Sequence, residues 1–314
     1  MDSLYRDFLL LDSVKDNGKF KSIKLDSFNS QFISKTESHS PIFLIKQQDQ
    51  PLFHPDISFR YFNVMFNVKC VIYINECEEL EDVFCIIKFD SSNAELFEVF
   101  VRCVSAGLSQ FKGAMLVTDI NNLINSLIKL FRSNSTPSEN QLIGLWGELF
   151  TIRNSKNITK AINSWHSESN YVYDFELMNE KYEVKATIGE RRIHNFSLRQ
   201  VSSSDEQDVF IISYLLQKMT NGKTILDLAI KIDSLIPDFK AKEKLWANIF
   251  DVMGNDISLS TSLAFDETHA RKNVLYFNSK NIPKPIVECK AISSVRYQCD
   301  LSDIEYIADE SFVF

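Results

Sequence analysis

Several motifs that mark common enzyme and metal-binding classes are missing from this sequence of 314 residues. Its six cysteines form no C-x-x-C pair, so a structural zinc site or a redox dithiol lacks its usual spacing. Its five histidines show neither H-x-x-x-H nor H-E-x-x-H, and there is no G-x-S-x-G, Walker loop or G-x-G-x-x-G. Because the cysteines lie in apolar or strand-like segments, we interpret them as buried free thiols in a reducing compartment.

Long apolar runs are missing too. The longest, such as VFIISYLL at 209–216, fall far short of the roughly 20 residues that a membrane-spanning helix needs. The N-terminal MDSLYRDFLLLDSVKD has early acidic residues and no basic region before its apolar part, which does not fit a signal peptide. We therefore expect a cytoplasmic protein without a membrane association.

The composition is that of a globular protein with an acidic balance. Apolar residues make up 45% and charged residues 24% of the chain, which is enough to bury a core. The net charge of −8 argues against a protein that coats nucleic acid over its whole surface. It permits a local basic channel, because binding depends on the charge at the contacted phosphates.

The hydrophobic patterns divide the chain into three segments, 1–115, 116–217 and 218–314. The first is a strand-rich α+β unit, with strands PIFLIKQ, ISFRYFNVMFNVKCVIYIN and DVFCIIKF and a helix NAELFEVFVRCVSAGLSQF. The second opens with a helix, TDINNLINSLIKLFRS. The third is an extension with helices KTILDLAIKIDSLI and DFKAKEKLWANIFDVM and strands NVLYFNS and SSVRYQCDLSDIEYIA.

The middle segment continues as a helix, three strands, a short helix and a strand. Its second helix is PSENQLIGLWGELFTIRN, with Thr136 predicted as N-cap, Pro137 at the first helical position and Glu139 completing a capping box. A hairpin of YVYDFEL and KYEVKA follows, and then the strand RIHNFSL, the short helix RQVSSSDEQ and the strand DVFIISYLL.

The hairpin carries acidic residues facing each other. If its turn is centred on Met178 and the next residue, Asp174 lies opposite Glu183, and Lys185 follows on the same face. Like charges opposite each other destabilise a strand pair, so a cation between them is expected. Mg²⁺ suits this position because it binds one or two carboxylates together with water and phosphate oxygens. The alternative is a solvated polar face neutralised by lysines, and spacing alone does not separate the two.

An aspartate at the end of one strand, followed after a hairpin by E-x-K, resembles the signature of the PD-(D/E)xK nuclease superfamily, which includes many restriction endonucleases. The matching residues are Asp174, Glu183 and Lys185. The resemblance implies an α/β restriction-endonuclease-like core of order αβββαβ within a chain that is α+β overall. It also implies a glutamate on the first core helix that faces the metal. Glu148 matches it, and Gly144 one turn earlier leaves room for a close approach.

A wider pattern resembles one restriction-endonuclease-like PD-(D/E)xK family found in bacterial defence loci. It consists of GLWGELF, INSWH, YDFEL, YEVKAT and IHNFSLRQ, and it covers residues 141–200. Tyr173 stands where the superfamily commonly has proline, and the second core helix is short. The resemblance implies a Mg²⁺-dependent DNA endonuclease, with Mn²⁺ as a substitute. Asp174 and Glu183 would hold the metal with Glu148 as a further ligand, and Lys185 would orient the attacking water.

Further polar residues near this motif are candidates for substrate contact. Gln200 matches a family glutamine after the third strand, although a helix-capping role is equally open. Arg191, Arg192 and Arg199, with Lys181 and Lys185, form a local basic cluster in an acidic chain, as a phosphate track requires. A charged edge strand explains them equally well. His194 faces either a phosphate or a structural partner, and Trp165 is expected to pack in the core.

The resemblance implies DNA as the substrate and partner proteins from a defence locus, such as a helicase, an ATPase or a methyltransferase. It also allows a homodimer. A second function remains open at this point: a non-catalytic DNA-binding or scaffold subunit that keeps the nuclease fold. The retained Asp174, Glu183 and Lys185 favour the enzyme, whereas the acidic net charge favours the scaffold.

Overall fold

A computed structural model describes residues 2–13, 18–49, 55–59, 61–75, 78–89, 95–130, 137–166, 171–178, 180–202, 208–253, 263–289, 291–292 and 294–308. The architecture is mixed α/β, and the chain divides into two compact units, Met1–Phe131 and Arg132–Phe314. The division falls after residue 131, so the helix predicted at 118–133 belongs with the first unit. The three-segment description remains a prediction about folding units.

The first unit is built on a six-stranded sheet with the strand order β1-β2-β3-β6-β5-β4, in which β1 also pairs in parallel with β5. The strands are β1 (Lys19–Lys24), β2 (Gln31–Lys35), β3 (Pro41–Lys46), β4 (Ile57–Ser58), β5 (Phe62–Asn75) and β6 (Glu78–Phe89). Its helices are α1 (Asp2–Leu10), α2 (Glu95–Leu108) and α3 (Val117–Leu130). Phe100 of α2 packs on Phe43, Phe62 and Phe89, so this helix covers the sheet. The predicted strands PIFLIKQ and DVFCIIKF and the two helices at 93–111 and 118–133 are confirmed within the described residues. The segment at 57–75, predicted as one strand, instead forms β4 and β5, which pair antiparallel.

The second unit centres on a four-stranded sheet with the order β13-β10-β8-β7, in which β8 and β10 run parallel. Two pairs of strands, β9 with β14 and β11 with β12, stand beside it. The strands are β7 (Phe175–Glu176), β8 (Glu180–Ile188), β9 (Ile193–Ser197), β10 (Asp208–Leu216), β11 (Lys218–Thr224), β12 (Ala264–Phe265), β13 (Val274–Asn278) and β14 (Arg296–Asp300). The helices are α4 (Glu139–Asn154), α5 (Ile158–Ser164), α6 (Leu198–Val201), α7 (Ile225–Leu235), α8 (Phe239–Met253) and α9 (Glu267–Lys272), with a 3-10 turn at Ser279–Asn281.

Helix α4 packs directly on the central strand β8. A Cβ on Gly147 would lie 3.1 Å from Ala186 Cβ and 3.3 Å from a Val184 methyl group, so glycine is what lets the helix come this close. Trp146, from the same turn, is fully buried and stacks on Phe150. Helices α7 and α8 pack on α4 in turn. No helix in the described part of the chain is long and apolar enough to cross a membrane.

The predicted start of α4 is wrong. Ser138 is the N-cap: its side chain accepts a hydrogen bond from Gln141 N, and the Gln141 side chain accepts one from Ser138 N. The sequence contains two overlapping capping boxes, one from Thr136 to Glu139 and one from Ser138 to Gln141, and the helix uses the second. Thr136 lies outside the described residues. The interpretation of all cysteines as buried also needs correction: Cys70, Cys85 and Cys103 are buried, but Cys289 is exposed and Cys299 is half-buried. Cys77 lies outside the described residues.

The first strand of the hairpin is shorter than predicted. YVYDFEL was expected to pair along its length, yet β7 has only 2 residues. The reason lies in Asp174, whose Oδ2 accepts the Val184 N–H at 2.7 Å. A side chain thus takes the place of a backbone carbonyl, and the ladder ends there. The Asp174 carbonyl accepts a hydrogen bond from His166 N at 2.8 Å.

Candidate functional site

The hairpin has the predicted register. Phe175 lies opposite Tyr182, and Leu177 N donates to Glu180 O at 2.8 Å. One residue further along, this register sets Asp174 against Glu183. Two acidic side chains therefore meet on neighbouring strands, next to the parallel strand β10.

Glu183 is buried, with 3% of its surface exposed. Its Oε1 accepts hydrogen bonds from Lys185 Nζ at 2.6 Å and from Gln200 Nε2 at 2.5 Å. Its Oε2 is also buried. The solvated polar face is therefore excluded for Glu183. Its Oε2 has no hydrogen bond of good geometry within the described part of the structure, although the Asp174 N–H acts on this carboxylate and lowers its pKa. A buried acceptor of this kind is costly unless something binds it.

Lys185 lies between the acidic residues and an aromatic ring. Its ammonium is 5.3 Å from the centre of the Phe196 ring, and 17% of its side chain is exposed. Burial by itself lowers the pKa of Lys185, but the charges of Glu183, Asp174 and Glu148 outweigh burial and raise it. The lysine therefore stays protonated at neutral pH, as a positive charge held by three carboxyl groups.

Glu148 reaches the same cluster from α4. Burial raises the pKa of Glu148 to about 7, the hydrogen bond from Trp165 opposes this rise, and the charge of Glu183 adds to it. That bond joins Trp165 Nε1 to Glu148 Oε2 at 2.7 Å, so the fully buried tryptophan also orients the carboxylate. Gly144 leaves open space beside the carboxylate, since a Cβ there would meet Glu148 Oε1 at 4.0 Å.

The pKa values of the two hairpin carboxylates are raised as well. Burial raises the pKa of Asp174 well above its ordinary value, and the charges of Glu183 and then Glu148 raise it further. Burial also raises the pKa of Glu183, against the lowering effect of Lys185. Three acidic groups thus repel one another around one lysine. The arrangement gains from any further positive charge.

Gln200 serves the site and the helix end together. Its Oε1 accepts a hydrogen bond from Ser197 N at 2.9 Å, in the capping geometry of α6, while its Nε2 binds Glu183. Gln200 therefore has both of the roles that were predicted as alternatives, contact with the site and capping of the helix. Helix α6 holds the Gln200 amide in place, and this amide in turn orients the Glu183 carboxylate.

Arg192 and His194 do not face the solvent, which corrects the expectation that they line a phosphate track. Arg192 donates to Ser213 O at 2.7 Å and to Asn273 O at 2.5 Å. His194 Nε2 bonds to Ser213 Oγ at 2.8 Å, and burial, followed by the charges of Lys185 and Arg192, lowers the pKa of this histidine to about 3. Both side chains tie β9 to β10, and we assign no substrate contact to either.

The other two arginines are exposed. Arg191 forms an ion pair with Asp300. Arg199 lies on the wall of a cavity of about 360 Å³ that adjoins the carboxylate cluster. The complete lining is Tyr171, Val172, Lys185, Asn195, Phe196, Ser197, Arg199, Gln200, Ser294 and Arg296. Arg296 could not be predicted from the sequence, because no local pattern shows that its strand pairs with β9.

The cluster has the donor chemistry of a site for a hard divalent cation. The described residues contain no group of three or more His, Cys, Asp or Glu side chains already arranged around a metal position. The carboxyl groups are instead held by Lys185, Gln200, Trp165 and the Val184 N–H. The unpartnered Glu183 Oε2 and the mutual repulsion of the acids fit a bound cation, and carboxylate oxygens are the ligands that Mg²⁺ and Mn²⁺ take.

The chain belongs to the protein family described as "Putative PD-(D/E)XK family member, (DUF4420)", which matches residues 10–302. The membership covers nearly the whole chain, including both compact units. It supports a nuclease activity, and PD-(D/E)XK nucleases typically use divalent metals. No curated protein matches the chain, and no solved structure matches it.

Proposed function

We propose that this protein is a Mg²⁺-dependent DNA endonuclease. The observation that carries the proposal is the half-satisfied Glu183 carboxylate, buried beside Lys185 with one oxygen that has no hydrogen bond of good geometry in the described structure. Most buried carboxylate oxygens are hydrogen-bonded, and a bound cation would account for the exception at Glu183. Membership of a PD-(D/E)XK family supports the same conclusion independently.

Each residue of the carboxylate cluster has a proposed role that follows from its position. Asp174 and Glu183 would hold Mg²⁺, with Glu148 as a further ligand and Mn²⁺ as a substitute. When bound, the ion supplies positive charge for the phosphate oxygens and makes water a better nucleophile. Lys185 orients the attacking water and neutralises charge that develops on the phosphate. Gln200 and Trp165 hold the Glu183 and Glu148 carboxylates in place.

We also propose that α4, β7, β8, β9, α6 and β10 form a restriction-endonuclease-like αβββαβ core. Their order along the chain and the parallel pairing of β8 with β10 support it. Two features depart from the simplest version. Helix α5 intervenes before β7, and β9 pairs with β14 instead of extending the four-stranded sheet.

A role in bacterial defence is part of the proposal and rests on the family resemblance alone. Its partners would be proteins encoded nearby, such as a helicase, an ATPase or a methyltransferase, and the chain would act in the cytoplasm. A homodimer would bring two such sites to the two strands of a duplex.

The decisive experiment combines metal binding with cleavage. Purified protein is titrated with Mg²⁺ and Mn²⁺ by calorimetry, and supercoiled plasmid is incubated under the same conditions, with and without the neighbouring gene products. We expect metal binding and metal-dependent nicking in the wild type, and loss of both in Asp174→Ala. Nicking by Asp174→Ala at the wild-type rate would contradict the proposal.

One observation favours a second function, a non-catalytic DNA-binding or scaffold subunit. Lys185 already occupies Glu183 Oε1, and no ready metal cluster is found among the described side chains. A scaffold of this kind would bind DNA without binding Mg²⁺ or Mn²⁺ at these carboxylates. The calorimetric titration therefore separates the two functions, even where the cleavage assay lacks a partner protein.

A further inference from the structure

The cavity beside Lys185 is built from two parts of the chain that are distant in sequence. Strand β14 pairs with β9, and this pairing sets Arg296 directly opposite Ser197. Ser197 is the N-cap of α6, the helix that carries Arg199 and the site residue Gln200. A segment from the C-terminal part of the chain thereby places an arginine beside the candidate site.

The wall of this cavity carries three basic side chains. Lys185, Arg199 and Arg296 line it, and no acidic residue is among its lining residues. Both arginines are exposed, and neither side chain forms an ion pair with any residue that the structure describes. This contrasts with Arg191 nearby, which is held by Asp300. In a chain with a net charge of −8, two uncommitted arginines next to a lysine favour an anionic ligand.

An aromatic side chain completes the wall. Tyr171 lines the cavity with 47% of its surface exposed, and its ring stacks on His166 with centroids 3.8 Å apart and an interplanar angle of 10°. The stack orients the tyrosine as a flat, supported platform. Asn195 adds an amide, and cavities of this volume are at the lower end of the range for small-molecule pockets. Phosphate-binding arginines beside an aromatic platform are what an unpaired nucleotide requires.

We infer that this cavity binds one nucleotide of an unpaired DNA strand, next to the phosphodiester presented to Lys185. Arg296 and Arg199 contact its phosphate, and Tyr171 stacks on its base. The inference rests on the proposed function and deepens it, because it makes a locally single-stranded or frayed strand the preferred substrate. It also gives the C-terminal segment a substrate-binding residue, Arg296.

Binding is tested without metal, so that cleavage does not enter the measurement. Fluorescence anisotropy with a labelled single-stranded oligonucleotide and a matching duplex compares wild type with Arg296→Ala, Tyr171→Ala and Tyr171→Phe. Lys231→Ala is the matched control: it removes one positive charge from an exposed position on α7, which packs on α4 and α8 and does not line the cavity. Circular dichroism establishes that each variant is folded.

We expect Arg296→Ala to weaken single-strand binding about tenfold, as for the loss of a charged hydrogen bond. The salt dependence, log K against log[salt], should lose about 0.7 of its slope, the value for one phosphate contact on a single strand. Tyr171→Ala should weaken single-strand binding about 5- to 100-fold and duplex binding much less, since base stacking needs an unpaired base. Tyr171→Phe should bind like wild type.

Two results would overturn the inference. One is Arg296→Ala binding with the affinity and salt slope of Lys231→Ala. The other is Tyr171→Ala losing duplex and single-strand affinity equally, or losing neither. If plasmid is nicked while Arg296→Ala binds normally, the cavity assignment fails and the nuclease stands. If no nicking is found but the arginine and tyrosine effects appear, the cavity assignment stands and catalysis fails.

Discussion

Glu183 and Lys185 are two residues apart on β8, and their side chains form an ion pair. Burying a carboxylate costs several kcal/mol unless it is paired and hydrogen-bonded, and here the pairing is incomplete, since Oε2 has no hydrogen bond of good geometry among the described residues. Lys185 supplies the only positive charge among the residues bonded to this carboxylate in the described structure. A divalent ion would therefore add positive charge beside the Glu183 carboxylate, and it would partly compete with Lys185 for that carboxylate.

This division of charge predicts opposite metal-binding effects for the two residues. Lys185→Ala should reduce the cleavage rate by a factor of about 10²–10³ or more, because it removes the group proposed to stabilise developing charge. Its metal affinity should be unchanged or higher, because a competing positive charge is gone. Glu183→Gln should lose cleavage and most of the metal affinity. Calorimetry and a plasmid-nicking assay check both, and Lys185→Ala cutting as fast as wild type would refute the assigned role.

Because the imidazole of His194 is buried, we predict that it lowers the free energy of unfolding as the pH falls. Its pKa falls to about 3 in the folded protein from 6.5 when exposed, so the unfolded chain binds a proton more readily. The contribution to the free energy of unfolding is complete above pH 6.5 and declines as pH falls toward 3. The slope contributed by one such group is at most about 1.4 kcal/mol per pH unit.

His194→Gln should remove this slope while retaining a polar group near Ser213. Urea unfolding at several values between about pH 6.5 and 4.5 should show a shallower decline for the variant than for wild type. Equal pH slopes for the two proteins would mean that the imidazole is accessible to protons in the folded state, against the burial and hydrogen bond described above.

At the scale of elements, helix α4 contains two glycines, Gly144 and Gly147, and its contact with β8 depends on Gly147. Gly147→Ala should lower the free energy of unfolding by about 1–3 kcal/mol, because the new methyl group meets Ala186 and Val184 in a strand with neighbours on both sides. Gly144→Ala is the matched control. Its methyl group meets only Glu148 Oε1 at 4.0 Å, so it should gain up to about 1 kcal/mol of helix propensity.

Urea unfolding of the two variants measures this difference. Equal effects from the two substitutions would show that α4 does not pack on β8 as described. Gly144→Ala also carries information on the site, since its methyl group narrows the approach to Glu148. A loss of metal affinity in this otherwise stable variant would place the ion on that side of the carboxylate.

The parts of the site that could be predicted from the sequence are those fixed by local rules. The hairpin register follows from the alternation of side chains around a short turn, and it correctly set Asp174 against Glu183. The order of elements around it followed from hydrophobic periodicity, except for α5, which was not predicted. The shortened β7 could not be predicted, because it depends on a side-chain hydrogen bond to Val184 N that replaces a backbone bond.

The missed and misplaced arginines have a different cause. A charge pattern in one strand does not reveal whether a side chain is buried, so Arg192 could not be distinguished from Arg199. The difference comes from Ser213 and Asn273, which are distant in sequence and offer Arg192 its acceptors. Arg296 was missed for the same reason, since it reaches the cavity through the long-range pairing of β14 with β9.

At the scale of the whole molecule, the two compact units each have what an independent domain requires. The first has a buried sheet that α2 covers, and its core includes Phe32, Leu44 and Phe84. The second has its own sheet and helices, and the residues of the candidate site and the cavity all belong to it. Chemistry and substrate binding are thus assigned to one unit, and the first unit has no assigned role in either.

The last prediction is that the second unit folds and binds metal without the first. A fragment of residues 132–314 contains α4, the hairpin, α6 and β14, and so every contact described for Glu148, Asp174, Glu183 and Lys185. We expect a cooperative unfolding transition for this fragment, with a Mg²⁺ or Mn²⁺ affinity close to that of the full chain and lost in its Glu183→Gln variant. Circular dichroism and calorimetry measure both. If the full chain binds metal and a cooperatively folded fragment does not, residues 1–131 complete the site, and the assignment of the ligands to one unit would then be incorrect.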